Sequence, residues 1–318
     1  LWTYLLLRDF SLAITAALLT LFNNLLYVLS RVAMLDVFVF TFVMLGLLAF
    51  TSAIELELSR WRRRALVVLS GAMFGLGAAC KWNAVDSWAV VLLASFTLLL
   101  FGRYAARSSN INLMRPAHTL RHIGLPNLVC GLIAVPVLTY VSIFMLLFRA
   151  THTPFSIQEL VNTHAMMLQL TKDAVGNKAL SAPWYTWPFR ASPVRGLSYL
   201  MGNFVVMWGG LVALAVCLHR LWRRVSLPEA TAVLLYAANL LQWAVTPLKV
   251  PHYYYYYPAA MFLGPAIALA LRGETPRRVL GVRLSVLLRI AAFAFFVYCF
   301  PRMAHLEAPW DCMLGCWD

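Results

Sequence analysis

The sequence predicts an all-α bundle of membrane-spanning helices, about nine of them in 318 residues. Hydrophobic residues make up 62% of the chain and charged residues 12%, with a mean hydropathy of +0.75. Soluble domains run at roughly 45–50% apolar and about 25% charged. A soluble globular enzyme and a disordered tail are therefore excluded. Six cysteines are too few and too scattered for a disulfide-stapled secreted module. The apolar residues come in runs of the roughly 20 needed to cross a bilayer. They are continuous rather than alternating in steps of two, which excludes a β-barrel.

In chain order the runs cover 11–29, 33–53, 66–81, 84–101, 126–148, 201–220, 229–247, 253–271 and 284–301. The links near Arg31 and near Trp82 are so short that they must be tight hairpins at one surface. Basic residues then orient the set. One group of loops carries Arg8, Arg60, Arg62, Arg63, Arg64, Arg103, Arg107, Arg115, Arg121, Arg220, Arg223, Arg224, Arg272, Arg277, Arg278 and Arg283, which is 16 of the 26 basic residues. By the positive-inside bias these loops are cytoplasmic, and the nine runs alternate without conflict. The formal charge of +14 is thus chiefly a topology signal, and no nucleic-acid partner is expected. The whole chain, 1–318, reads as one integral membrane domain with an extracytoplasmic loop over 149–200. Within that loop Ile157, Leu160, Val161, His164 and Leu168 recur at helical spacing. A helix near 156–171 lying on the membrane surface or packed against the bundle accounts for them.

The chemistry is sought in charges that this topology disfavours. Arg31, Lys81 and Lys249 occupy short outer links, where a charge near a span needs something to offset its cost. Asp36 and Asp86 are the protein counter-charges within reach, Asp86 for Lys81 and Asp36 for Arg31. A set of orienting ion pairs explains the cations. A cationic cradle for an anionic head group explains them as well, since Arg binds phosphate bidentately and Lys as a point charge. Pro247 and Pro251 unwind the last outer hairpin, so that Lys249 and His252 can converge on an outer cavity. The five tyrosines Tyr253 to Tyr257 point around a whole helix. An interfacial belt is the favoured reading for any one of them, with one or two, Tyr253 and Tyr254 foremost, donating into the cavity. Trp184 and Trp187, stiffened by Pro183 and Pro188, suit either the interface or the apolar face of a sugar ring. Cys312 and Cys316 either pair in an oxidising exterior or remain thiols. His152 and His164 lack partners at metal-ligand spacing, so no metal is expected, and no nucleotide-binding motif is present.

Taken together these segments resemble the protein O-mannosyltransferases and their bacterial relatives. Ser30-Arg31-Val32-Ala33-Met34-Leu35-Asp36 is similar to the family's SR…LD signature, and Gly77-Ala78-Ala79-Cys80-Lys81-Trp82 to its G-x-x-x-K-W element. Pro183-Trp184-Tyr185-Thr186-Trp187-Pro188 resembles PW-x-WP. Gly202-Asn203 with Trp208-Gly209-Gly210 resembles GN…WGG, and Lys249 through Pro258 resembles the aromatic-HY-x-P element. The resemblance implies a polytopic glycosyltransferase of the GT-C type in a bacterial plasma membrane, with its active site outside. It would use a polyprenyl-phosphate-linked sugar as donor and no cofactor, and would transfer the sugar, mannose in the family, to a Ser/Thr hydroxyl of a protein. The 149–200 loop is too short for the β-trefoil insert of the eukaryotic enzymes.

Under this reading Arg31, Lys249 and His252, with Lys81, hold the donor phosphate, and Asp36, Asp86, Tyr253, Tyr254, Trp184 and Trp187 support them. The family's catalytic acidic pair belongs to a first outer loop that would precede Leu1. The chain opens at Leu1 inside apolar sequence and reads as a piece lacking the first spans. It is expected to be inactive alone, with Asp36 a remote substitute for the missing base. Transfer of another polyprenyl-linked sugar, such as an aminosugar, to a lipid or glycan is the alternative reaction. A lipid-linked sugar transporter is the alternative of another class, although it would show two related halves, which the sequence lacks.

Overall fold

A computed structural model describes residues 1–107, 111–173, 182–190, 200–246, 252–273, 278–279 and 282–304. It is an all-α polytopic membrane bundle, and each apolar run of the sequence is helical. The helices are α1 (Trp2–Leu7), α2 (Phe10–Leu21), α3 (Asn24–Arg31), α4 (Leu35–Glu55), α5 (Arg60–Cys80), α6 (Ala84–Arg107) and α7 (Ile111–Ile123). They continue as α8 (Leu125–Val129), α9 (Val135–Ala150), α10 (Ile157–Asp173), α11 (Phe204–Arg223), α12 (Leu227–Val245), α13 (Tyr257–Ala260), α14 (Leu263–Ala270) and α15 (Leu284–Met303). A two-residue antiparallel ladder pairs Arg278–Val279 with Val282–Arg283 just before α15.

Among the described residues five helices are long and apolar enough to cross a membrane: α4, α5, the continuous Leu125–Ala150, α11 and α15. The pair α2 and α3, bent by 53°, makes a sixth. The nine runs of the sequence are thus all present as helix, but three of them fall short of a full span singly. In α6 the apolar part is Ala84–Leu100. In α12 Glu229, Asn239 and Gln242 dilute the apolar face. The last of the three, 253–271, is broken into a 3₁₀ turn at Tyr253–Tyr256, then α13 and α14.

Local signals set the boundaries. Asp9, Asn23 and Asn203 cap α2, α3 and α11 by accepting from the backbone N–H of Leu12, Leu25 and Val205, which satisfies donors that a helix start leaves free. Asn203 also donates its amide N–H groups to the carbonyls of Phe22 (2.9 Å) and Ala292 (2.8 Å), tying α11 to the end of α2 and to α15. At the other end of the bundle arginines close helix C-termini. Arg63 donates to the carbonyls of Ala53 and Leu56, and Arg220 to those of Leu269 and Ala270. Cations belong at that end of a helix.

The core is formed where α14 lies between α2, α11 and α12, with every residue from Leu263 to Leu269 buried. A second tight contact joins α5 to α9. One residue wide of regular helix, the π-turn Cys130–Ala134 leads into Pro136, which cannot donate to the preceding turn. Small residues let the two helices meet: a Cβ on Gly71 would overlap the Gly131 carbonyl oxygen, and one on Gly75 would lie 2.6 Å from the Pro136 carbonyl oxygen. Gly71→Ala is therefore expected to force the helices apart at a cost of about 1–3 kcal/mol. Gly209→Ala is the control, since its nearest neighbour is 3.7 Å away. Thermal unfolding in detergent should show a lowered midpoint for the first and none for the second; equal midpoints would remove the packing argument.

Candidate functional site

One end of the bundle gathers the C-termini of α3, α5 and α15, the N-termini of α4 and α6, and the aromatic segment that follows α12. It is the end that the charge pattern assigns to the outside. At its centre Lys81, extended at the C-terminus of α5, places its Nζ 2.8 and 2.9 Å from the two carboxylate oxygens of Asp36. Asp36 stands in the first turn of α4, where a negative charge is favoured by the helix N-terminus, and it is only 1% exposed.

This pairing corrects two expectations. Asp86 does not pair with Lys81; one of its carboxylate oxygens is buried without a hydrogen bond in the described structure. Nor does Asp36 hold Arg31. With a bond from Lys81 to each oxygen and 1% exposure, Asp36 stands in this structure as the buried partner of Lys81. Arg31, at the C-terminus of α3, instead donates to the Met303 carbonyl at 2.8 Å, closing the end of α15. Its side chain is otherwise exposed, so most of its five donors face outward.

An aromatic wall surrounds the ion pair. Lys81 Nζ lies 4.7 Å from the ring centre of Tyr255 and 5.8 Å from that of Tyr254, close enough for cation–π attraction. His252 stacks on Tyr254 with ring centres 5.3 Å apart, and Tyr255 stacks on Trp243 at 4.6 Å. His252 is half-buried in the link before the aromatic turn, and that burial lowers its pKa below the ordinary imidazole value. The shift favours the neutral imidazole, which offers a hydrogen bond but no charge. Lys249, Cys312 and Cys316 lie outside the described residues.

Most of the aromatic run is not an interfacial belt. Tyr253, Tyr256 and Tyr257 are 1%, 0% and 0% exposed, and the Tyr236 and Tyr256 hydroxyls bond each other at 3.0 Å. The reason is the break in this segment. A 3₁₀ turn followed by α13 folds the tyrosines into the middle of the bundle instead of along a lipid-facing helix. Tyr253 is thereby a core residue and Tyr254 a wall residue. Trp187 is likewise neither at the interface nor open to a sugar. It is fully buried, donates to the Ala182 carbonyl at 2.9 Å and meets Trp243 edge-on. Trp184, half-buried against the exposed Tyr185, keeps both of its possible roles.

Sequence reading missed one cluster. Trp82 Nε1–H donates to the Tyr140 hydroxyl at 2.9 Å, which in turn is 2.6 Å from His164 Nε2. His164 Nδ1 is 2.7 Å from the Leu160 carbonyl, an acceptor only, so Nδ1 carries the proton and Nε2 accepts from Tyr140. Trp82 also stacks on the His164 ring at 5.9 Å. The signal was present in the helical spacing of Leu160 and His164, but nothing local names Tyr140 as their partner. This contact fixes α10 against the bundle while Ile157, Val161 and Leu168 remain exposed on its other face. Among the described residues no group of three His, Cys, Asp or Glu side chains is placed to hold a metal.

Residues 1–152 match the family model described as dolichyl-phosphate-mannose-protein mannosyltransferase. This is consistent with a protein O-mannosyltransferase-like family member, as the motifs imply, and supports a glycosyltransferase of the mannosyltransferase type. No curated protein and no solved structure matches the chain.

Proposed function

We propose that the chain acts in a polyprenyl-phosphate-dependent glycosyltransferase, one that moves mannose to a Ser/Thr hydroxyl of a protein on the outer face of a bacterial plasma membrane. The observation that carries this reading is the family match over 1–152, the stretch that contains Arg31, Asp36 and Lys81. This reading divides the labour among the site residues. The Lys81–Asp36 pair, nearly neutral in sum, clamps α4 to α5 and presents the aromatic wall. Arg31 and Lys249 supply net positive charge for the phosphate, and neutral His252 supplies a hydrogen bond.

In the reaction the bond between the sugar's anomeric carbon and the phosphate oxygen breaks, and the acceptor oxygen takes its place. The electron pair leaves with the polyprenyl phosphate, whose growing charge Arg31 and Lys249 stabilise. The acceptor's proton passes to a carboxylate base contributed from outside the described residues. A single displacement of this kind inverts the anomeric centre.

The full-length protein in proteoliposomes, given labelled polyprenyl-phosphate mannose and a Ser/Thr-containing peptide, should move the label to the peptide. Substituting Lys249→Ala should reduce that transfer by about 10²-fold. Label that stays on the intact lipid while the lipid crosses the membrane would instead establish a transporter, and transfer from an aminosugar donor alone would change the substrate.

A further inference from the structure

The opposite end of the bundle carries a second cationic site. A cavity of about 260 Å³ opens between the α4–α5 link and α7, lined by Arg60, Arg63, His118, Thr119 and His122. Arg63 is held rigidly by its bonds to the α4 carbonyls. Arg60, His118 and His122 make no hydrogen bond or ion pair within the described structure, apart from the two imidazole rings meeting each other at 4.5 Å. Among the described residues no carboxylate lines the cavity. Glu55 and Glu57, the acidic residues nearest in sequence, are engaged by Arg8 at 3.8 Å and Arg115 at 3.9 Å.

The surroundings reinforce the positive potential. Arg60, Arg62 and Arg63 crowd the first turn of α5, which has no acidic residue, and Ser59 gives it no side-chain cap. Cations at a helix N-terminus are unfavourable unless an anion offsets them. The lining residues supply the donors of a phosphate site: guanidinium, imidazole and a threonine hydroxyl. Trp61, next to Arg60 in the chain and 77% exposed, is an aromatic of the kind found at head-group level, and basic pockets between spans on the cytoplasmic side recognise anionic head groups.

We propose that this cavity binds a phosphate-bearing anion, either the head group of an anionic phospholipid in that leaflet or a free phosphate, independently of the sugar-transfer site. Native mass spectrometry of the full-length protein, released from vesicles of phosphatidylglycerol and phosphatidylcholine in equal parts, tests the lipid source. Selective retention of phosphatidylglycerol is expected, falling about tenfold in the double variant Arg60→Gln, His122→Gln. These side chains are exposed and bonded to nothing that the fold needs. Arg64→Gln, on the same turn but outside the cavity, should retain lipid as the wild type does. Thermal stabilisation by millimolar inorganic phosphate in lipid-depleted detergent, lost in the same double variant and without lipid retention, would identify a free anion as the occupant. Absence of both effects, or effects that the double variant leaves unchanged, would overturn the site.

Discussion

Replacing Asp36 with Asn is expected to destabilise the folded protein by about 3 kcal/mol. Removing one member of a buried ion pair typically costs about 3–5 kcal/mol, because the other charge stays behind without its partner. Here the stranded charge would be Lys81, whose ammonium would keep the neutral amide oxygen of the new Asn and the faces of Tyr254 and Tyr255 at 5.8 and 4.7 Å, but no counter-charge. Its side chain is 24% exposed against 1% for Asp36. Lys81 can therefore reach water in part, which places the loss at the lower end of the range. The double variant Asp36→Asn, Lys81→Met should recover most of the stability, since neither charge remains to be solvated. Tryptophan fluorescence during unfolding in detergent reads both. A single variant within about 0.5 kcal/mol of the wild type would mean that the pair does not hold α4 to α5.

Arg31→Ala has the opposite profile: little effect on folding and a large one on turnover. The structural loss is one hydrogen bond to the Met303 carbonyl, worth about 1 kcal/mol. Under the proposed function the functional loss is a cationic donor for the charge that develops on the leaving phosphate, a contact worth about 10²–10³-fold in kcat. Arg31→Lys should fall between the two, because a point charge replaces a planar fork. The assay is single-turnover transfer by the full-length protein at saturating donor, with the thermal midpoint measured alongside. Near-full turnover in Arg31→Ala would remove Arg31 from the phosphate site and leave it as a cap on α15.

The bundle was legible because its signals are long. Twenty apolar residues bounded by arginines mark a helix whatever its neighbours do, so each run could be placed from one dimension of information. The residues that would stand out at this end were legible too, since Arg31, Asp36, Lys81 and His252 are charged or polar residues in links where such residues are costly. What the sequence could not supply was the pairing. Asp36 is five residues from Arg31 and 45 from Lys81, and only the packing of α4 on α5 decides which cation it meets. The same limit hid Tyr140 from Trp82 and His164. The tyrosine run misled for a related reason: a helix carrying five aromatic residues resembles an interfacial anchor until a break turns three of them inward. Three of the nine runs are not full spans singly, and one of them, α12, carries buried polar residues such as Asn239, bonded to Ser87 at 2.9 Å.

That last point bears on how the chain is put together. The α13–α14 segment is short, broken at its outer end and walled in by α2, α11 and α12. It has almost no surface of its own to offer to lipid. Ribosomal synthesis delivers it after those three helices, so its berth exists before it arrives. Its entry is then a docking of protein onto protein instead of a partition from water into hydrocarbon. A nascent chain halted after α12 would present an empty slot to the surrounding bilayer, the kind of unfinished membrane domain that quality-control proteases recognise.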